Sequence, residues 1–175
     1  GENLTIQVST GSMPQADEAI IDILEIMGVV ITLDKNTIKI KSPEKLDGGK
    51  FDLSDSPDLI PAIAILALKT SKPIKIFNVE HARYKETDRI AIIARELTKL
   101  GIKVVEKKDG LVLNNSDNLT GADLNSENDH RLFMAFCIAG MYVGNCTISH
   151  PESVEISYPN FISEMKRIGC KIFLD

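Results

Sequence analysis

Apolar residues along this chain change period three times over, each time in the same order. A short stretch of period two comes first, then an amphipathic stretch of period near 3.6, then period two again. The first unit reads LTIQVST over residues 4–10, QADEAIIDILEIMG over 15–28, then VVITL and TIKIKS over 29–33 and 37–42. The second reads IKIFNVE over 74–80, ETDRIAIIARELTKLG over 86–101, then IKVVEK and GLVLNN over 102–107 and 110–115. The third reads CTISHPE over 146–152, YPNFISEMKRIG over 158–169, then CKIFLD over 170–175. Each unit predicts a strand, a polar loop, a helix closed by Gly, and a further strand. In the second helix Ile90, Ile93, Ala94, Leu97 and Leu100 share one face, with Arg95, Glu96 and Lys99 elsewhere. Gly28, Gly101 and Gly169 stand where the residue after a helix often needs φ > 0. Residues 37–41 alternate polar and apolar, as a half-buried strand does.

Two more segments precede the second and third units: PDLIPAIAILALKT (57–70) and DHRLFMAFCIAGMYVG (129–144). Both are apolar on nearly every face, which predicts helices buried inside the lobe, with sheets and amphipathic helices around them. Ser56-Pro57 reads as an N-cap followed by Pro at the first helical position, and Asn128 or Asp129 as the cap of the other helix. Pro61 falls near the first turn, where its missing N–H does little harm. The units run over about 1–46, 52–118 and 128–175. Residues 47–55, rich in Gly and Asp, read as the connection between the first two. No apolar helix precedes the first unit, and position 1 is Gly, not Met. The expectation is one lobe of a longer chain.

Composition narrows the class. A chain of 175 residues, 43% hydrophobic and 26% charged, suits a single globular lobe with a real core. No apolar run approaches the ~18 residues of a membrane span, and no leader pattern is visible, so a cytoplasmic location is expected. A net charge of −5 argues against a nucleic-acid binder. A few well-placed cations could still hold a small anion. Cys137, Cys146 and Cys170 are odd in number, lack C-x-x-C spacing and read as reduced core residues. His81, His130 and His150 show no ligand spacing, which speaks against a zinc site.

Polar residues converge at helix starts. Asp58 falls in the first turn of one buried helix and Arg131 in that of the other, 73 residues on, the same offset that separates Gly28 from Gly101. Between them lies Lys85-Glu86-Thr87-Asp88-Arg89, at the start of the second amphipathic helix. Helix N-termini carry free N–H groups and attract anions, and arginine adds a planar fork for carboxylate or phosphate. Arginine at a helix start runs against the macrodipole, a local cost that hints at function. The plainer alternative is a surface salt-bridge cluster formed by Lys85, Glu86, Asp88 and Arg89 alone. Thr87 or Asp88 reads as an N-cap, His130 as packing beside a cap, and Tyr158-Pro159-Asn160 as helix initiation.

Asp-Ser-Pro-Asp at 55–58, Asn78-Val79, Lys85-Glu86-Thr87-Asp88-Arg89, Asn128-Asp129-His130-Arg131 and Tyr158-Pro159-Asn160-Phe161 occur in this order. Together they resemble the 3-phosphoshikimate 1-carboxyvinyltransferase (EPSP synthase) family, along the whole chain. The resemblance implies an α/β (α+β) enolpyruvyl-transferase lobe: three repeated strand–helix–strand units around buried helices, an inside-out α/β-barrel-like arrangement. It implies a second, N-terminal lobe, substrates in the cleft between, a monomer, and no cofactor or metal. The implied reaction moves the enolpyruvyl group of phosphoenolpyruvate onto the 5-hydroxyl of shikimate 3-phosphate and releases phosphate, in the pathway to chorismate and the aromatic amino acids. By resemblance, Asp58 is the base for the 5-hydroxyl and Glu86 the proton donor to the methylene carbon. Arg89 and Arg131 hold phosphoenolpyruvate, while Lys85 and His81 line the shikimate phosphate side. A carboxyl donating near neutral pH needs a raised pKa, which burial beside Asp58 would supply against the pull of Lys85. One position departs from the family: the lysine usually found just before the Ser-Tyr/Phe-Pro motif is Ile156 here. That weakens one phosphoenolpyruvate contact.

Two alternatives remain. A sister enzyme, UDP-N-acetylglucosamine enolpyruvyl transferase, shares the fold but lacks this pairing of Lys-Glu-Thr-Asp-Arg with Asp-His-Arg. A non-catalytic binding domain of the same fold draws its support from Ile156. The lobe by itself is expected to fold and to be catalytically silent.

Overall fold

Strand, helix and hairpin follow one another in the computed structural model, which describes residues 3–7, 15–116 and 118–174. Strand β1 (Asn3–Gln7) is followed by helix α1 (Gln15–Ile26) and the hairpin β2 (Val30–Asp34) and β3 (Thr37–Lys41). Residues 8–10, expected to extend β1, lie outside the described residues. The return strand β3 sits in the middle of an antiparallel sheet ordered β1-β3-β2. Its register puts Leu4, Ile40 and Ile31 in one row and Ile6, Ile38 and Leu33 in the next. Strand β5 (Ile74–Phe77), helix α3 (Arg89–Lys99), β6 (Lys103–Lys107) and β7 (Gly110–Asn114) repeat that topology as β5-β7-β6. The helix-closing Gly28, Gly101 and Gly169 have φ of 87°, 98° and 100°, the left-handed conformation their positions required.

Three expectations need correction. Residues 47–55 are not a plain connection: they contain strand β4 (Gly49–Asp52), parallel to β5. Phe51 and Leu53 alternate with polar neighbours and are buried, a short period-two signal masked by the surrounding Gly and Asp. Residues 57–70 are not one helix. A 3₁₀ turn (Pro57–Leu59), helix α2 (Ile60–Ile65) and a second 3₁₀ turn (Leu66–Lys69) share the segment. Pro61 has no N–H to give the Pro57 carbonyl, so that oxygen accepts from Ile60 instead, and the chain starts as a 3₁₀ turn. Residues 170–174 form no strand. In both complete sheets the strand that follows the helix pairs only with the hairpin's return strand. The third unit has no return strand among the described residues, so this segment lacks a partner for its backbone.

Helix α4 (His130–Val143) follows a short strand β8 (Asp123–Leu124), and β9 (Thr147–Ile148) pairs parallel with β8, as β5 does with β4. After a 3₁₀ turn (Pro151–Ile156), helix α5 (Phe161–Arg167) packs on α4 through Phe133, Cys137, Val154 and Phe161. The main core brings α2, α3 and α4 together: Ile60, Ile63, Ile90, Ile93, Leu97, Leu132 and Phe136 are all buried. Helix α4 is not covered all round, since Ile138 and Tyr142, one turn apart, are exposed. Ile74, Ile76, Leu111 and Leu113 of the second sheet are buried, whereas Leu4, Ile6 and Leu33 of the first are exposed. No helix among the described residues is long and apolar enough to cross a membrane.

Close approach of neighbouring backbone demands glycine at several places, Gly110 among them. A Cβ on Gly110, at the start of β7, would collide with the carbonyl oxygen of Ile76 on the neighbouring strand. Gly110→Ala is therefore expected to destabilise the protein by about 1–3 kcal/mol, as overpacking does. Urea denaturation checks it, and an unchanged midpoint would show that the two strands part without cost.

Candidate active site

Two helix starts and two loops meet at one guanidinium. Asp88 caps α3 by accepting the Ala91 N–H at 3.0 Å, and Arg89 is the first residue of that helix. The Arg89 side chain is fully buried. A buried charge is costly unless it is paired and hydrogen-bonded. Here each arm has a carboxylate: Nε donates to Asp129 Oδ2 at 2.8 Å, Nη1 to Asp58 Oδ1 at 2.7 Å, and Nη2 to Glu86 Oε2 at 2.6 Å. Asp129 is equally buried. Its Oδ1 accepts the N–H groups of Arg131 and Leu132 at 2.9 and 3.2 Å, which caps α4. Its Oδ2 takes Arg89 and, at 3.2 Å, the Thr87 hydroxyl. One aspartate thus caps one helix and grips the first residue of another.

Above this base lies a half-exposed layer. Asp58, in the 3₁₀ turn before α2, presents its second oxygen 2.8 Å from Arg131 Nη2. Lys85 Nζ is 3.8 Å from Asp58 Oδ1. Burial by itself would raise the Asp58 pKa, but the hydrogen bond from Arg89 and the fields of Arg131, Arg89 and Lys85 prevail and hold it below the usual carboxylate value. Glu86 is about half exposed, at 51%. The burial expected around it is not supplied by the described residues of this lobe. Asp58 and Glu86 nonetheless share one guanidinium, two carboxylates held side by side between cations.

The network joins Asp58, Lys85, Glu86, Arg89 and Arg131, residues spread over 74 positions of sequence (58–131). It is not the local surface cluster of Lys85, Glu86, Asp88 and Arg89, because the central arginine is buried and two of its three partners come from other segments. His81 lies exposed in the 3₁₀ turn Glu80–Tyr84 and joins the network by no hydrogen bond or ion pair among the described residues. Ile156, at the end of its 3₁₀ turn, is 68% exposed. His130 is buried in the first turn of α4, its Nδ1 without a hydrogen-bond partner.

Two residues of the site escaped the sequence. Asp129 read only as a possible cap, and a cap carries no sign that its second oxygen will hold a distant arginine. Arg83 had no signal at all. Its Nη1 is 2.9 Å from Asp88 Oδ2, its Nη2 donates to the Lys107 carbonyl at 2.7 Å and lies 2.8 Å from Glu106 Oε1, and its Nε donates to the Lys108 carbonyl at 3.0 Å. It braces the loop bearing Lys85 and Glu86 against the β6–β7 hairpin. The three cysteines are free, and burial pushes the Cys137 thiol up to about 12. All three were expected in the core, but Cys146 and Cys170 are only half-buried. No group of three or more His, Cys, Asp or Glu among the described residues is placed to hold a metal ion.

The lowered carboxylates carry a pH dependence. Asp58 and Glu96 are both held below their ordinary values of 3.8 and 4.5. A depressed carboxyl contributes stability that is present above its unfolded value and lost as pH falls through its folded one. Melting temperature is therefore expected to be flat down to about pH 4.5 and to fall below about pH 4. A melting temperature unchanged at roughly pH 3 would contradict the ion pairing described above.

Repeated strand–helix–hairpin units, with carboxylates and arginines interleaved at helix starts, define an α/β lobe of the enolpyruvyl-transferase type. The chain belongs to the EPSP synthase (3-phosphoshikimate 1-carboxyvinyltransferase) family, whose sequence model matches residues 1–165. It is 64% identical over 172 residues to the 3-phosphoshikimate 1-carboxyvinyltransferase of Nitrosopumilus maritimus, covering 98% of this chain and 41% of that protein. It is 44% identical over 159 residues to the enzyme of the same name from Methanococcus vannielii, covering 90% of this chain and 37% of that one. An EPSP synthase structure from Acinetobacter baumannii superposes with a TM-score of 0.82 at 25% identity, covering 97% of this chain and 42% of that one. The enolpyruvyl transferase NikO from Streptomyces tendae shares the fold, with a TM-score of 0.76 at 20% identity, over 97% of this chain and 39% of that one. The chain spans about two fifths of the length of the curated relatives it matches.

Proposed function

We propose that the complete protein transfers the enolpyruvyl group of phosphoenolpyruvate to the 5-hydroxyl of shikimate 3-phosphate, and that this lobe supplies its proton-transfer groups. The observation that carries the proposal is the sharing of Arg89 by Asp58 and Glu86, with Arg131 on the far side of Asp58. The reaction needs a base for a hydroxyl, an acid for a methylene carbon and cations for two anions. In this reading Asp58 takes the hydroxyl proton as the oxygen attacks C2 of phosphoenolpyruvate. Glu86 gives its proton to the methylene carbon. The tetrahedral adduct then expels phosphate, which takes the proton held by Asp58, and the carboxylate of Glu86 takes a proton back from the new methyl group as the double bond re-forms. Arg131, partly exposed, holds phosphoenolpyruvate, and Arg89, buried with a carboxylate on each arm, joins it when the substrate displaces Asp58 or Glu86 from the guanidinium. An anion bound there draws their charge away from Asp58, whose pKa these cations depress, and so makes it a stronger base.

Lys85 and His81 face the shikimate phosphate in this proposal. A second, N-terminal lobe supplies the groups that hold its 3-phosphate. Ile156, exposed where the family has a lysine, leaves one phosphoenolpyruvate contact unmade. The complete protein is proposed to act as a cytoplasmic monomer without a cofactor, and residues 1–175 alone to lack turnover. Phosphate release by the full-length protein tests the proposal. Release is expected with phosphoenolpyruvate and shikimate 3-phosphate, and none when UDP-N-acetylglucosamine is the acceptor. Cooperative binding of the first pair without release would point to a binding protein instead, and release with the amino sugar would reverse the assignment.

A further inference from the structure

Arg89 and Glu96 are seven residues apart, so they lie on one face of α3, two turns and about 10 Å apart along its axis. Both side chains are fully buried. The loop from β8 to α4, residues 125–129, runs along α3 and is tied to it at every second residue. Glu96 Oε2 accepts the Asn125 N–H at 3.0 Å. Arg95 Nη2 donates to Glu127 Oε1 at 2.7 Å. Arg89 Nε donates to Asp129 Oδ2 at 2.8 Å. Glu127 and the Asn128 that follows it have φ of 49° and 65°, a conformation uncommon for Glu and more readily adopted by Asn.

Glu96 is itself gripped from both sides. Arg95 Nε and Lys99 Nζ each lie 2.6 Å from one of its oxygens, and Lys99 also donates to the Asp123 carbonyl at 3.0 Å. Burial alone would raise its pKa, but the bonds from Lys99, Arg95 and the Asn125 N–H outweigh this and keep the group ionised. An apolar residue at this helix position would leave the Asn125 N–H without its acceptor and release Arg95 and Lys99. What the carboxylate adds is register: it decides where residue 125 sits, and Asp129 and Arg131 follow within six residues.

We propose that Glu96 is a positioning residue: by clamping the 125–129 loop to α3 it sets the separation of Arg89 and Arg131, and so the fit of the anion held between them. The substrate named in the test rests on the reading of that pair as the phosphoenolpyruvate site. In the full-length protein, Glu96→Gln keeps the shape and one acceptor but removes the charge that Arg95 and Lys99 grip. The KM for phosphoenolpyruvate is expected to rise roughly tenfold while that for shikimate 3-phosphate changes less than about twofold, since small misplacements of a binding group cost this much. Amide hydrogen exchange over residues 125–131 should quicken, with the β6–β7 hairpin still protected. Equal changes in both KM values, or exchange over 125–131 as slow as in the parent, would overturn the proposal. Should Glu96→Gln fail to fold, Arg95→Ala decides: it removes the Glu127 tie and one of the two grips on Glu96, keeps the Asn125 tie, and leaves a good helix former. The same split, smaller, is expected, and its absence sinks the clamp. A parent protein that releases no phosphate with either acceptor defeats the functional reading, and hydrogen exchange then judges the clamp by itself.

Discussion

Glu86→Gln in the full-length protein is expected to lower turnover by roughly 10²–10⁴-fold, the range for losing a positioned proton donor. Gln keeps the size of the side chain and can still accept from Arg89 Nη2, now 2.6 Å from Glu86 Oε2, so the network should survive. What it cannot do is give a proton to carbon. The fall should therefore appear in kcat, with the KM for phosphoenolpyruvate nearly unchanged. Asp58→Ala should cut turnover as deeply but for two reasons at once: the base is gone, and Arg89 and Arg131 both lose a partner. Steady-state kinetics on the two variants separates these cases. Parent-like turnover in both would reject the roles given to the two carboxylates.

Asp129→Ala should have the largest effect on stability, a loss of about 3–5 kcal/mol, because breaking a buried ion pair leaves its partner uncompensated. Arg89 cannot escape to water, being fully buried, and loses the one partner buried as deeply as itself. The same change removes the cap of α4, worth about 1 kcal/mol by itself. Asp129→Asn should cost less, since an amide oxygen can still accept the Arg131 and Leu132 N–H groups. Urea denaturation of parent and variants gives the comparison. Equal stability of Asp129→Asn and Asp129→Ala would mean that the cap contributes nothing here.

Local chemistry was legible in the chain. Asp88 and Asp129 sit where capping residues belong, Gly28, Gly101 and Gly169 take the positive φ that ends a helix, and the hairpins around residues 35–36 and 108–109 follow from period-two runs. Each depends on a few adjacent residues and their backbone preferences, and such signals survive in sequence. Where a second segment decided the outcome, sequence reasoning faltered. β4 exists because β5 lies beside it, and residues 170–174 are irregular with no return strand beside them among the described residues. Glu96 belonged by periodicity with the polar residues of α3, yet it is buried, because the 125–129 loop covers it and supplies an N–H.

The repeated order of elements, the starts bearing Asp58 and Arg131, and the motif that links the chain to its family are written in the order of the residues. That those starts meet, and around what, is a matter of how distant segments pack. Asp58, Glu86 and Asp129 close on one buried guanidinium, while His81 stays outside the network. The physical reason is that a cap or a helical face is satisfied by neighbours in sequence, whereas a buried arginine needs three acceptors that no single segment of the chain can provide.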